Sequence, residues 1–260
     1  MNKGAIGIFD SGVGGLTVLT EIRKKLRNEN IVYLGDTLNF PYGNKSKEEI
    51  IEYSKRNVEI LMSKGAKIIV IACGTATSQA CEVLQKEFDI PIIGIIKPTV
   101  EYIQEQKYNE VGVIATEGTI RSGAWEYYLK KSIPDIKVVN KACPMLATIA
   151  EEGRATSKEG KAVIKEYMVP FKENKIDKII LGCTHYPIYE DLIRKEMEYD
   201  VDLINTGVIV ADYLEKYLEE HNMQNTEKKD REEIYLSKPE SEFKNIARNI
   251  MKVDIEIKNL

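Results

Sequence analysis

Short runs of β-branched and other apolar residues alternate along this chain with longer amphipathic stretches, and few folds accept that rhythm. Strands are expected at 5–9, 31–34, 67–72, 91–96, 111–115, 137–139, 178–182 and 201–204. Between them the apolar residues recur at helical spacing. Leu16, Leu19, Ile22 and Leu26 mark one helix, and Ile50, Ile51, Ser54, Val58, Leu61 and Met62 mark a second that Gly65 should end. Strand followed by helix, repeated, implies the α/β class: mostly parallel sheets flanked by helices, with active groups just beyond the carboxyl ends of the strands. At 260 residues there is enough chain for two such domains.

An internal echo supports two domains. Lys67-Ile68-Ile69-Val70-Ile71-Ala72-Cys73 resembles Lys178-Ile179-Ile180-Leu181-Gly182-Cys183, and a threonine follows each cysteine closely (Thr75 and Thr184). Two like domains facing each other would set one thiol on either side of a shared cleft. Near the far end, 233–237 reads as a strand, and Pro239 precedes a helix through Phe243, Ile246, Ala247 and Ile250. The polar stretch 220–231 reads as a loop.

The net charge of −4 argues against a nucleic-acid binder, which would carry a basic excess. No apolar run approaches the ~18–20 residues of a membrane span. The first residues enter a strand without a hydrophobic leader, so a cytoplasmic chain with reduced thiols is expected.

Four segments could carry chemistry. Asp10-Ser11-Gly12-Val13-Gly14-Gly15 joins a strand to a helix; its glycines allow a tight turn and close approach to a ligand. It is neither a phosphate-binding loop ending in Gly-Lys-Ser/Thr nor a dinucleotide fingerprint. Gly35-Asp36-Thr37 with Pro41-Tyr42-Gly43 would form the neighbouring loop. The last two are Cys73-Gly74-Thr75 and Cys183-Thr184-His185. Cys81 and Cys143 read as small buried hydrophobes. His221 lies in a polar stretch and reads as solvated.

Three chemistries compete for the strand-end cysteines. Zinc could draw on Cys73, Cys183 and His185, but no Cys-x-x-Cys pair or dense ligand cluster accompanies them, so no metal is expected. A cysteine hydrolase could use Cys183 with His185, leaving Cys73 unexplained. Proton transfer between two opposed thiols, one as base and one as acid, uses both.

With these motifs in order, and with Thr119-Ile120-Arg121-Ser122-Gly123, the chain resembles the glutamate racemases of the cofactor-independent aspartate/glutamate racemase family. The resemblance implies an N-terminal α/β domain, 1–97 plus 206–260, interrupted by an inserted α/β domain, 98–205, with the substrate in the cleft between them. It implies interconversion of L- and D-glutamate without a cofactor, supplying D-glutamate for peptidoglycan. Cys73 would take the α-proton of D-glutamate and Cys183 that of L-glutamate, assisted by Asp10 and His185 respectively. Ser11, Pro41, Tyr42, Gly43, Gly74, Thr75 and Thr184, with Asp10 and His185, would bind the substrate. A homodimer is implied, and some relatives bind DNA gyrase. A chain that kept the fold but acts on aspartate, or only binds, is the alternative.

One departure bears on the site. The family carries asparagine after its first cysteine, with an amide that would contact the substrate; this chain has Gly74. Such a hydrogen bond to a charged group is worth about 1.5–3 kcal/mol. A water could replace part of it; if the site proves inactive, Gly74→Asn is the expected repair.

Overall fold

The structure, a computed structural model, describes residues 4–227, 231–238, 243–251 and 256–260. The strands among them are β1 (Ala5–Asp10), β2 (Asn30–Gly35), β3 (Ala66–Ile71), β4 (Ile92–Gly94), β5 (Glu110–Ala115), β6 (Lys137–Ala142), β7 (Lys178–Leu181), β8 (Asp202–Asn205), β9 (Glu232–Leu236) and β10 (Ile257–Asn259). The α-helices are α1 (Leu16–Lys25), α2 (Lys47–Ser63), α3 (Gly74–Glu87), α4 (Ile96–Glu105), α5 (Glu117–Arg121), α6 (Ala124–Ser132), α7 (Pro144–Glu151), α8 (Lys158–Glu173), α9 (Glu190–Met197), α10 (Thr206–Glu220) and α11 (Phe243–Met251).

Two sheets result, both wholly parallel. One has the order β10-β9-β2-β1-β3-β4 and the other β6-β5-β7-β8. The segment β2-β1-β3-β4 and the sheet β6-β5-β7-β8 thus repeat one strand order, which is the internal echo in three dimensions. Cys73 and Cys183 each follow the third strand of that repeat, two residues beyond it. Every residue of β1 and β2 is buried, because helices cover both faces of the sheet; this is why those strands read as unbroken apolar runs rather than alternating ones.

Local chemistry sets the helix boundaries. Ser46 caps α2 with a reciprocal box: Glu49 N–H donates to Ser46 Oγ at 3.2 Å and Ser46 N–H to Glu49 Oε2 at 2.9 Å. Gly65, at φ +77°, turns the chain out of α2 into β3. β4 is shorter than its apolar run. Ile95 and Ile96 leave the sheet because Ile95 N–H donates to Thr77 Oγ1 at 3.3 Å and Ile95 carbonyl accepts from Thr99 Oγ1 at 2.7 Å, starting α4. Pro239 lies outside the described residues. Beyond it, α11 buries Phe243 and Ala247. β10 was not expected, and it pairs with β9.

One apolar core joins the two sheets. Ile8 and Val70 of the six-stranded sheet, Leu19 of α1, Val100 of α4 and Leu214 of α10 belong to the same cluster as Val113 and Ile180 of the four-stranded sheet. Below the first sheet a buried cation is fully met: Lys67 Nζ lies 2.6 Å from Glu29 Oε2 and donates to Met223 carbonyl at 2.5 Å and Asn225 Oδ1 at 3.0 Å. Among the described residues no helix is long and apolar enough to cross a membrane.

Candidate active site

The loops beyond β1 and β3 of one sheet meet the loop beyond β7 of the other. Asp10, the last residue of β1, is fully buried. Its Oδ1 accepts from Gly12 N–H at 2.9 Å and its Oδ2 from Thr184 Oγ1 at 3.1 Å, so the first loop of one sheet is tied to the strand-end loop of the other. Burial raises the Asp10 pKa, opposed first by the positive field of His185.

Cys73 is the N-cap of α3. Ala76 N–H points at its sulfur at 3.5 Å, and its thiol donates to Ser11 Oγ at 3.7 Å. Burial, then the charge of Asp10, push this thiol up to about 12, so it holds its proton at neutral pH.

Cys183 has different surroundings. Its Sγ lies 3.6 Å from His185 Nδ1, and His185 Nε2 lies 2.7 Å from Glu151 Oε1. Burial pulls the imidazole pKa down, but the contacts to Cys183 and Glu151 outweigh it and leave the pKa well above the usual value. A protonated His185 therefore faces the Cys183 sulfur. Glu151 Oε1 also accepts from Val13 N–H at 3.0 Å, reaching from α7 back to the loop beyond β1.

Glu151 carried no local signal in the sequence, being one acid among many. Thr116 and Thr119 were also unassigned. Thr75 Oγ1 and Thr116 Oγ1 lie 2.8 Å apart, Thr116 Oγ1 and Thr119 Oγ1 2.8 Å, and Thr119 Oγ1 donates to Thr75 Oγ1 at 3.3 Å. The echo could have found Thr116, which follows β5 as Ser11 follows β1.

Of the second loop, Tyr42 is buried, and its hydroxyl donates to Asp36 Oδ2 at 2.6 Å while accepting from Asn57 Nδ2 at 3.1 Å. The Tyr42 phenol is therefore engaged by Asp36 of its own loop and Asn57 of α2. Gly43 packs beside Thr116: a β-carbon built on it would lie 3.1 Å from Thr116 Cβ. Gly74 lies against the backbone of Gly182. Cys143 is buried with its thiol donating to Lys141 carbonyl at 3.6 Å, and Cys81 is half-buried. Exposed His221 stacks on Tyr217, apart from the site. The described residues contain no group of three or more His, Cys, Asp or Glu placed to hold a metal.

The arrangement brings together two thiols, one protonated and one facing an imidazolium, each beside a second titratable group. It can remove a proton on one face of a bound carbon acid and return one on the other. Comparison with known proteins finds racemases. A family model described as Asp/Glu/hydantoin racemase matches residues 13–214. A glutamate racemase of Oceanobacillus iheyensis is 42% identical over 223 residues, which are 85% of this chain and 81% of that one. The crystal structure of a glutamate racemase isoform from Bacillus anthracis superposes with a TM-score of 0.95 at 34% identity, covering 100% of this chain and 98% of that one. The glutamate racemase of Francisella tularensis in complex with D-glutamate gives 0.94 at 32% identity, with 100% and 98% covered. The chain belongs to the Asp/Glu/hydantoin racemase family.

Proposed function

We propose that this enzyme interconverts L- and D-glutamate by a two-thiol proton transfer, with Cys183 abstracting the α-proton of L-glutamate and Cys73 that of D-glutamate. The observation that carries this reading is the unequal pair of strand-end cysteines. The Cys73 thiol is held protonated, and the Cys183 sulfur touches a histidine that Glu151 keeps charged. That form is ready for L-glutamate. Proton removal by Cys183 and delivery by Cys73 leave the complementary form, ready for D-glutamate. The α-proton of an amino acid is weakly acidic, so the site must exclude water and direct donors at the carboxylate as charge grows there. Buried Thr75 and Thr184 hydroxyls, with Ser11 and the neighbouring main-chain amides, are suited to that. Thr116 and Thr119 extend the hydroxyl set.

This reading divides the chain into 1–97 plus 206–260 and 98–205, places the product in peptidoglycan synthesis, and carries a homodimer, to be checked by sedimentation. Contact with DNA gyrase would be checked by co-sedimentation. The direct test is proton NMR in D2O with L- or D-glutamate, following the α-proton signal, with aspartate alongside. Loss of the signal with both glutamate enantiomers, together with appearance of the opposite enantiomer, is expected. Exchange with aspartate alone would keep the mechanism and change the substrate; no exchange at all would refute the reading.

A further inference from the structure

The glycine beside the first cysteine lies where, in this chain, any side chain would force the backbone opposite it to move. A β-carbon built on Gly74 would stand 2.2 Å from the carbonyl oxygen of Gly182, 3.3 Å from its carbonyl carbon and 3.5 Å from Ile95 Cδ1. The first contact is with backbone, which no rotamer change can relieve. Gly182 is itself backed by rigid structure. Its N–H donates to Ile114 carbonyl at 2.8 Å, and a β-carbon on it would meet Ile114 carbonyl oxygen at 2.9 Å and Trp125 Nε1 at 3.0 Å. Gly74 follows Cys73, and Gly182 precedes Cys183. The two cysteine-bearing strand ends therefore meet backbone to backbone, through two glycines.

Close approach at a glycine recurs where the loops of the two sheets meet. A β-carbon on Gly118 would lie 2.7 Å from Gly43 carbonyl oxygen, and one on Gly14 would lie 2.5 Å from both His185 Nδ1 and Thr184 Oγ1. At these three crossings from one sheet to the other, a missing side chain lets the loops close.

We propose that Gly74 is a positioning residue that fixes the approach of the two cysteine-bearing strand ends, and that a side chain there, asparagine included, props the cleft apart. This deepens the two-thiol reading and rests on it. It also reverses the expectation drawn from the family's asparagine. A β-carbon is not found closer than about 3 Å to a carbonyl oxygen, so the two backbones must part by roughly 1 Å. A misplacement of that size can cost on the order of 100-fold in rate.

The discriminating pair is Gly74→Ala and Gly74→Asn. If a side-chain amide at this position serves the substrate, asparagine should restore activity while alanine should not. If the position sets the approach, both variants should lose on the order of 100-fold in kcat/KM, mainly through kcat, with asparagine no better than alanine. Two readouts do not depend on turnover. Trp125 is the chain's single tryptophan and is buried behind Gly182. Its emission should move to the red and quench more readily with acrylamide in both variants. A thiol reagent should also modify the strand-end cysteines faster.

Folding is checked by circular dichroism, and Trp125→Phe supplies a second background, because the smaller ring gives Gly182 room to retreat. Gly74→Ala in that background should fold and lose less activity than it does alone. Gly74→Asn at or above the parent's kcat/KM, unchanged Trp125 emission in folded variants, or no rescue by Trp125→Phe would each overturn the proposal. If the parent itself exchanges no glutamate α-proton, the functional reading fails, while the emission and thiol-modification arms still decide the role of Gly74.

Discussion

Replacing Glu151 by glutamine tests whether His185 is charged for a reason. The Glu151 carboxylate is 13% exposed and lies 2.7 Å from His185 Nε2, while the same oxygen holds Val13 N–H at 3.0 Å. A glutamine keeps the shape and can still accept from Val13, but it brings no negative charge to the imidazole. Loss of one charge-assisted hydrogen bond is worth about 1.5–3 kcal/mol, or roughly 10- to 150-fold in kcat/KM. The enantiomers have equal free energy in water, so kcat/KM must fall by the same factor in both directions, although the imidazole that Glu151 contacts lies beside Cys183. Any asymmetry can appear only in the separate kcat and KM values. Losing the contact that raises the His185 pKa should also move the alkaline limb of the pH–rate profile to lower pH. Time-resolved polarimetry started from each enantiomer, from pH 6 to 10, measures all of this. A variant within threefold of the parent, with its alkaline limb unmoved, would refute the reasoning.

Cys73→Ala and Cys183→Ala should each cut racemisation at least ~100-fold in both directions, because each direction needs both the base and the acid; chiral chromatography of the products decides it. Stability should fall on the alkaline side. A native thiol raised to about 12 keeps its proton where the unfolded thiol loses its own, so Cys73 contributes a loss of about 1–2 kcal/mol by pH 10. His185 acts in the same sense, since its raised pKa gives stability that is full below about 6.5 and lost as pH rises through the native value. Urea midpoints should therefore drop from pH 7 to pH 10, and less steeply in Cys73→Ala. Lys67→Met leaves Glu29 buried without its cation and should cost about 3–5 kcal/mol in urea unfolding, with Lys67→Met/Glu29→Leu recovering much of it. Ser46→Ala removes the α2 cap and should cost about 1 kcal/mol in the same assay.

Much of the fold was legible because burial on both faces writes itself as continuous apolar runs. β1, β3 and β7 stand within a residue or two of the expected positions, and the echo around Cys73 and Cys183 corresponds to a repeated strand order. β10 was hidden by its brevity: three residues among charged neighbours carry no period. Strand ends were readable as sites because Asp10, Cys73 and Cys183 each sit at or just beyond one. Glu151 was not, since its partners Val13 and His185 come from distant loops and nothing in its own helix marks it. Gly74 showed itself only as a departure. What it does depends on Gly182, a contact between residues that lie far apart along the chain.

The pairing of β9 with β2 has a consequence during synthesis. The ribosome delivers β2 early and β9 only after all of the four-stranded sheet has emerged. Until then the nascent six-stranded sheet presents the bare edge of β2, whose unpaired backbone N–H and C=O groups form a template for pairing with another chain. Partly made chains on neighbouring ribosomes are thus the species most exposed to mispairing. Codon usage that speeds elongation between β8 and β9 would shorten that window without altering a single residue.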